Sequence, residues 1–461
     1  MQNGTSDQHT RLRNVLLVTY HFPPEPAAAC VRPSYIAKYL PEFGWRATVL
    51  TRYLGSPDFP FADVVVAKDE LEAFVTRRAA KSRDIKLPAI VQYVTNALKN
   101  ALWFPDRAVG WLPPALSQAL AITRHKRFDA IISTSPPPTA HIVACLTAQR
   151  RRLPWIADYR DQWHASPYTK KGPLRAWVER GIERWLMRRA SAVTAVSDDV
   201  IAQQRLTFGI TRGETVMNAF DPTEWQRVST RDPKTFTLCY AGVLYEGKRR
   251  LDFVLSAAAA LRRAGDPAGL AVRFEIYGPD VRLVRQMAER YGLNDVVKIH
   301  GLVDRVVVLQ AQRDAAVLLI PLSMDPDTTR ELGSKIFECV GAQRPVIAVG
   351  PPGSAVKEFI SQHGLGWFAS DVGACAQAIR EAYARFAVGE FDPPHAGTNG
   401  IGTARDVARG FAAVLDSIVG AGHESVDRAR SAQTGEPTIA AQTAASAGVV
   451  KSTGSPLNFS E

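Results

Sequence analysis

The sequence predicts an α/β protein built from two doubly wound, Rossmann-like domains that face one another across a central cleft. Three observations predict it. Short apolar runs alternate with longer helical patterns through residues 14–217, the same alternation restarts at Phe236, and residues 218–235 between them, with Pro222 and Pro233 among polar residues, have the composition of a linker. Repeated strand-helix-strand units imply parallel sheets covered on both faces, and ligands of such sheets lie beyond the carboxyl ends of the strands.

In the first domain, 15–18 reads as a buried strand, 33–43 as a helix, 47–50 as a second strand and 130–133 as a later one. Helix 138–149, strand 155–157, a helix around 173–189 and strand 192–196 complete it. The second domain, 236–402, opens with strand 236–241 and continues with helix 250–263, strand 272–277, helix 281–291 and strand 296–300. Helix 304–313, strand 316–320, a helix around 334–341, strand 345–348 and helix 372–386 follow. A helical stretch at 403–420 is placed to pack back on the first domain. Residues 1–13 read as a flexible N-terminus. From 421 to 461 the Ala, Ser, Thr and Gly content rises and aromatics nearly vanish, which predicts a disordered tail.

A chain of 461 residues with 46% apolar, 9% aromatic and 22% charged residues has the make-up of a globular protein of two or three domains. No apolar run approaches the roughly 18–20 residues of a membrane span, and 1–13 lacks the apolar core of a secretory signal, so the expected address is the cytoplasm. Cys30, Cys145, Cys239, Cys339 and Cys375 are far apart with no paired ligand spacing. They read as small buried hydrophobes, with neither a zinc knuckle nor a disulfide framework.

The net charge of +11 is uneven. Residues 1–220 hold 30 Lys and Arg against 18 Asp and Glu, and the remainder is almost balanced at 26 against 27. Clusters at Arg77, Arg78, Lys81, Arg83 and Lys86, at Arg124 to Arg127, and at Arg150 to Arg152 suit an anionic partner, or are the solvated faces of ordinary helices. The stretch 170–190 holds seven Lys or Arg against Glu179 and Glu183, with Trp177 and Trp185 on roughly one face. It reads either as a surface that meets the anionic inner face of a membrane or as a core-packed helix with charged outer rows. Nucleic acid is not the expected partner, because no reader module or aromatic platform accompanies the charge.

The chemistry-bearing segments sit at expected carboxyl edges. Gly333 and Ser334 open a helix, and its start presents free N–H groups and positive dipole charge beside Lys335 and Glu338. That suits a phosphate and a sugar or ribose hydroxyl, and so a nucleotide-sugar; the same residues also fit ordinary capping over a core face of Ile336, Phe337 and Val340. After the strand at 236–241 comes Gly242, then Gly247, Lys248 and Arg249 at the expected start of a helix, an order in which a basic pair can hold a diphosphate. Gly278, Gly301 and Val303 end later strands, where they turn the chain or frame a nucleobase pocket. In the first domain, Arg32 in a proline-stiffened loop is a candidate anion contact. Arg160, bracketed by Asp158 and Asp161, forms either a self-neutralised ion cluster or, with Asp161, a contact to sugar hydroxyls.

Taken in order, Phe22-Pro23-Pro24, Tyr39 to Trp45, Ser133-Thr134-Ser135-Pro136-Pro137, Ala157 to Asp161, Asn218 to Asp221, Tyr240-Ala241-Gly242 with Gly247-Lys248-Arg249, and Ser334 to Glu338 resemble bacterial glycosyltransferases of family 4. The resemblance spans residues 14 to about 415. It implies the GT-B fold, a metal-independent and retaining transfer from a nucleotide-sugar with no cofactor, a donor-binding second domain and an acceptor-binding first domain. It places Lys248 on the phosphate-binding lysine and Glu338 on the ribose-binding glutamate. The chain departs from the family at Ala27-Ala28-Ala29, at Arg160 where many members have His, at Val243 where they have a phosphate-binding arginine, and at Arg330, with Glu331 one place from the usual first acid.

The resulting expectation is a transferase in which Lys248 and Arg249 neutralise the departing diphosphate, Gly242, Gly278, Gly301, Val303, Ser334, Lys335 and Glu338 hold the nucleotide-sugar, and Asp161 and Arg160 position hydroxyls. The acceptor is a glycan or lipid-linked molecule of cell-surface polysaccharide assembly. Rival readings are a nucleotide-sugar epimerase of the same architecture and a transferase-like protein without activity.

Overall fold

The computed structural model describes residues 12–25, 28–52, 59–73, 103–161, 163, 172–325, 332–392 and 401–434, the last of these from 421 by backbone alone. Among them, the first domain carries β1 (Arg13–Val18), β2 (Trp45–Thr51), β3 (Asp63–Val66), β4 (Ala130–Ser135), β5 (Trp155–Tyr159), β6 (Ala192–Ala195) and β7 (Gly213–Thr215). All pair in parallel, in the order β3-β2-β1-β4-β5-β6-β7. The chain therefore reverses its direction across the sheet between β1 and β4. Its helices are α1 (Val31–Tyr39), α2 (Leu112–His125), α3 (Thr139–Arg151), α4 (Pro173–Met187) and α5 (Asp198–Phe208), with the short α6 (Pro222–Trp225) in the segment that joins the domains.

The second domain has β8 (Thr237–Ala241), β9 (Arg273–Tyr277), β10 (Val297–Gly301), β11 (Val317–Pro321), β12 (Val346–Val349) and β13 (Gly366–Ala369), parallel in the order β10-β9-β8-β11-β12-β13. Here the reversal lies between β8 and β11. Helices α7 (Leu251–Arg263), α8 (Pro267–Ala271), α9 (Val281–Tyr291), α10 (Arg305–Asp314), α11 (Ser334–Ala342), α12 (Ala355–His363) and α13 (Val372–Ala387) cover both faces. Central strands such as β11 are buried at every position, which is why they read as continuous apolar runs. Cap chemistry sets several helix starts: Ser197, Ser354 and Asp371 each accept a bond from the backbone N–H two or three residues on. All five cysteines are buried and none forms a disulfide.

The last helix, α14 (Ala404–Thr434), returns to the first domain, where Phe411 and Leu415 join a core with Val15, Leu17 and Trp45. Asp416 accepts from Trp45 Nε1 at 2.8 Å and pairs with Arg13. The helix runs past residue 420, into the stretch expected as a tail, because Ala, Glu and Arg between 421 and 434 are good helix formers. The rest of that stretch, with residues 1–11, the 77–86 basic cluster, Ala27, Arg330 and Glu331, lies outside the described residues. Of the other basic clusters, Lys126 is tied to Asp63 and Thr48, each at 2.9 Å, and Arg151 to Thr123 at 3.0 Å. Among the described residues no helix is long and apolar enough to cross a membrane.

Candidate active site

The second-domain half of the site is built on the carboxyl ends of β8, β9 and β10. Gly242 N–H donates to Tyr277 O and Gly278 N–H to Gly301 O, both at 2.8 Å, so the three strand ends are laced side by side. Two of its glycines leave no free room for a side chain. A Cβ on Gly278, at φ +149°, would stand 2.0 Å from Gly242 O, and one on Gly242 would meet Lys335 Nζ at 2.4 Å. Val303, just beyond, is part of an exposed turn with Leu302.

Lys335, on the first turn of α11, donates to Ala241 O directly beneath Gly242 and lies 5.9 Å over the Tyr240 ring. Burial pulls its ammonium below the ordinary lysine value, Glu338 opposing. The helix it starts is preceded by Gly333, which has no side chain to cap it, so among the described residues no N-cap side chain takes the first N–H groups of α11. A lysine, a helix N-terminus and a glycine backbone thus converge, from strands on either side of the β8/β11 reversal.

The loop after Gly242 is held by Leu244 N–H on Asp280 Oδ2 at 2.7 Å and by Tyr240 O–H on Val243 O at 2.9 Å. Tyr245, Glu246 and Gly247 all have positive φ. Helix α7 begins at Leu251, one residue past the expected 250, and Lys248 and Arg249 stand on the loop before it. Lys248 is exposed; Arg249 reaches Val243 O at 3.2 Å and lies 4.7 Å over the Tyr245 ring.

Glu338, one turn after Lys335, faces Arg305, the first residue of α10, whose Nη1 is 3.1 Å from its Oε1. Burial would raise the Glu338 carboxyl, but Arg305 and Lys335 outweigh it and hold the group below its ordinary value. The same guanidinium clasps Glu224 of α6 through Nε at 3.2 Å and Nη2 at 2.7 Å. Arg305 escaped the sequence reading. A cation at the start of a helix opposes the dipole unless carboxylates hold it there, and that misplacement was the available signal.

The first-domain half differs from expectation at Asp158. It does not pair with Arg160; it is fully buried and accepts from Arg32 Nε at 2.9 Å and Nη2 at 2.8 Å, and from Thr134 and Thr194 hydroxyls at 2.8 Å. Arg32, 3% exposed, also donates to Met217 O at 3.1 Å. The reason is topological: the parallel pairing of β5 with β4 and β6 points Asp158 at α1, while Arg160 leaves the strand end. Arg32, a candidate anion contact by sequence, is therefore first a partner of Asp158. Arg160 is near Asp161 at 3.4 Å, and Asp161 is mostly exposed. Arg32, Tyr35, Arg160 and Asn218, with Val407 of α14, line a narrow cleft that Ser334 of α11 lines from the second domain. Arg160 and the α11 N-terminus are thereby brought together, whereas Lys248 and Arg249 do not line this cleft.

Two family models match the chain in succession: the Glycosyl transferase 4-like domain over residues 29–219 and Glycosyl transferases group 1 over residues 235–385. No curated protein matches the sequence significantly. Among solved structures, the chain is similar to sucrose-phosphate synthase from Thermosynechococcus elongatus at 15% identity and TM-score 0.58, over 91% of this chain and 100% of that one. It is similar to HepE of Anabaena in complex with UDP and glucose at 15% identity and TM-score 0.58, over 88% and 100%. WaaG, a glycosyltransferase involved in lipopolysaccharide biosynthesis, matches at 13% identity and TM-score 0.56, over 87% and 99%. With a 4-like domain followed by a group 1 domain in this two-sheet architecture, the chain is a glycosyltransferase of the GT-B type.

Proposed function

We propose that the protein is a family 4, retaining enzyme that moves a sugar from a nucleotide-sugar donor to a glycan or lipid-linked acceptor, on the cytoplasmic side of a membrane, in cell-surface polysaccharide assembly. The observation that carries the reading is the convergence of Lys335 and the α11 N-terminus on the Gly242 backbone. Preorganised cations and N–H dipoles act where negative charge develops, and in this reaction that is the leaving diphosphate. Lys248 and Arg249, on the loop that follows, complete the positive surround without a metal ion. Glu338 takes ribose hydroxyls in place of part of its bond to Arg305, and Gly278, Gly301 and Val303 frame the base. Arg160 and Asp161 act from across the cleft on sugar hydroxyls. The UDP held by HepE favours a nucleotide of this kind.

A thermal-shift screen of nucleoside diphosphates tests the donor half, since selective binding raises the melting temperature with affinity and concentration. Selective stabilisation by one diphosphate, lost in Lys335→Ala, is the expected result; no stabilisation by any of them overturns the reading. Incubation with labelled nucleotide-sugar alone separates the rivals: isomerised sugar would establish an epimerase. Closure of the two domains around the donor would exclude water and favour transfer, and hydrolysis as fast as transfer would refute it.

A further inference from the structure

Helix α4 presents a face whose chemistry the site does not use. Its two carboxylates point inward: Glu179 is fully buried, with Arg175 Nε at 2.7 Å, and Glu183 is 1% exposed. Arg175 turns inward as well, to the carbonyls of Trp103 and Pro105. Outward stand Leu174 at 75% exposure, Trp177 at 74%, Trp185, and the arginines 180, 184, 188 and 189. Positions 174, 177, 181, 184, 185 and 188 follow the three-four spacing of one helical stripe. Every charge on the outer side of α4 is positive, and two tryptophans and a leucine accompany them. Ordinary solvated helices mix both signs and rarely leave two indoles in water.

We infer that the outer face of α4 docks on an anionic bilayer surface. The charge is complementary to acidic headgroups, and tryptophan has an apolar ring body with one N–H that suits the headgroup boundary. The direction of the helix adds to the argument. A helix that follows a parallel strand starts at that strand's carboxyl end, so Leu174 and Trp177, on the first turns of α4, stand nearest the β5 edge that carries Arg160 and Asp161. Docking there brings the rim of the cleft to the lipid surface, where a lipid-linked acceptor is presented. This purpose rests on the transfer proposed above; the docking does not, and it is tested without any sugar.

Co-sedimentation of the full chain with vesicles rich in phosphatidylglycerol and with pure phosphatidylcholine vesicles measures it. Strong binding to the acidic vesicles alone, weakened by salt, is expected. Arg180→Gln combined with Arg184→Gln reduces it by roughly tenfold or more, from the contribution of each arginine near an acidic surface. Trp177→Ser reduces it at high salt, where the charges are screened. Both variants alter exposed positions, and an unchanged melting temperature shows that they are folded. Equal binding to both vesicle types, undiminished binding of both variants, or binding of single-stranded RNA with neither vesicle bound would overturn the inference. Loss of sugar transfer with vesicle binding intact would count against the proposed function instead.

Discussion

Arg305 Nη1 stands 3.1 Å from Glu338 Oε1 while its Nη2 holds Glu224 at 2.7 Å, so one guanidinium joins the donor-side carboxylate to the segment between the domains. Lys38 and Tyr39 of α1 grip the neighbouring Asp221, each at 2.7 Å, which carries the linkage into the first domain. Replacing Arg305 by Gln removes the cation that offsets burial at Glu338, and nucleotide affinity falls about threefold to tenfold, the loss of one charge-assisted bond at a part-exposed site. The pH response is the sharper readout. In the native protein the carboxylate stays ionised down past its ordinary value of 4.5. In Arg305→Gln its protonation moves upward, so affinity is lost at a higher pH as the solution is acidified. Calorimetric titration of the nucleotide across this range decides it; superimposable profiles would remove Arg305 from the donor site.

Gly242 and Gly278 differ in what opposes a side chain. At Gly278 the obstacle is the Gly242 carbonyl, backbone that cannot step aside, whereas at Gly242 it is the end of a lysine. Gly278→Ala therefore costs stability, about 3 kcal/mol or more from overpacking and a backbone unsuited to alanine, read as a lowered melting temperature. Gly242→Ala instead displaces the Lys335 amine from Ala241 O. It costs about 1–2 kcal/mol of stability and lowers nucleotide affinity by more than tenfold. Equal melting temperatures for the two variants would contradict the packing described.

The Arg32–Asp158 pair predicts an acid response of the first domain. Burial raises the Asp158 carboxyl, but Arg32 and the Thr194 and Thr134 hydroxyls outweigh it, leaving the group below its ordinary 3.8. A carboxylate depressed in the folded state lends stability that is complete above its unfolded value and lost as pH falls through the folded one. Asp158→Asn leaves Arg32 buried without its counter-charge, costing about 3–5 kcal/mol at neutral pH, and removes this pH dependence. Urea unfolding at pH 7 and at about pH 3, below the ordinary carboxylate value, should show the gap between the proteins narrow as the pH falls. A constant gap would show that the pair does not titrate with folding.

Much of this was legible because parallel strands buried on both faces are unbroken apolar runs, as at 15–18 and 317–320. Edge strands are not. Asp63–Val66 is partly exposed and Gly213–Thr215 is three residues long with a glycine and an acid, so neither announced itself. Helices Asp198–Phe208 and Ala355–His363 were missed although Ser197 and Ser354 mark their starts. In the site, Gly242 and Lys335 were each readable, since each follows or precedes a clear element; that one lies on the other is a fact of the β8/β11 pairing. Arg32 and Asp158 are 126 positions apart, and no local pattern distinguishes a buried partner from a ligand contact.

Phe411 tests whether α14 is part of the first domain's core or only rests on it. Its ring is fully buried among Val15, Leu17 and Trp45, and the Arg32 guanidinium lies 5.1 Å over it. Phe411→Ala removes a large buried ring and takes one wall from the Arg32–Asp158 pair, so a loss of about 3–5 kcal/mol is expected. Because the ring and the pair share a surface, Phe411→Ala and Asp158→Asn combined should cost less than the sum of the two alone, by about 0.5–3 kcal/mol of coupling. Equilibrium unfolding of the four proteins gives both numbers. A Phe411→Ala loss under about 1 kcal/mol, as for a surface substitution, would show that the helix is an appendage and that the first core closes without it.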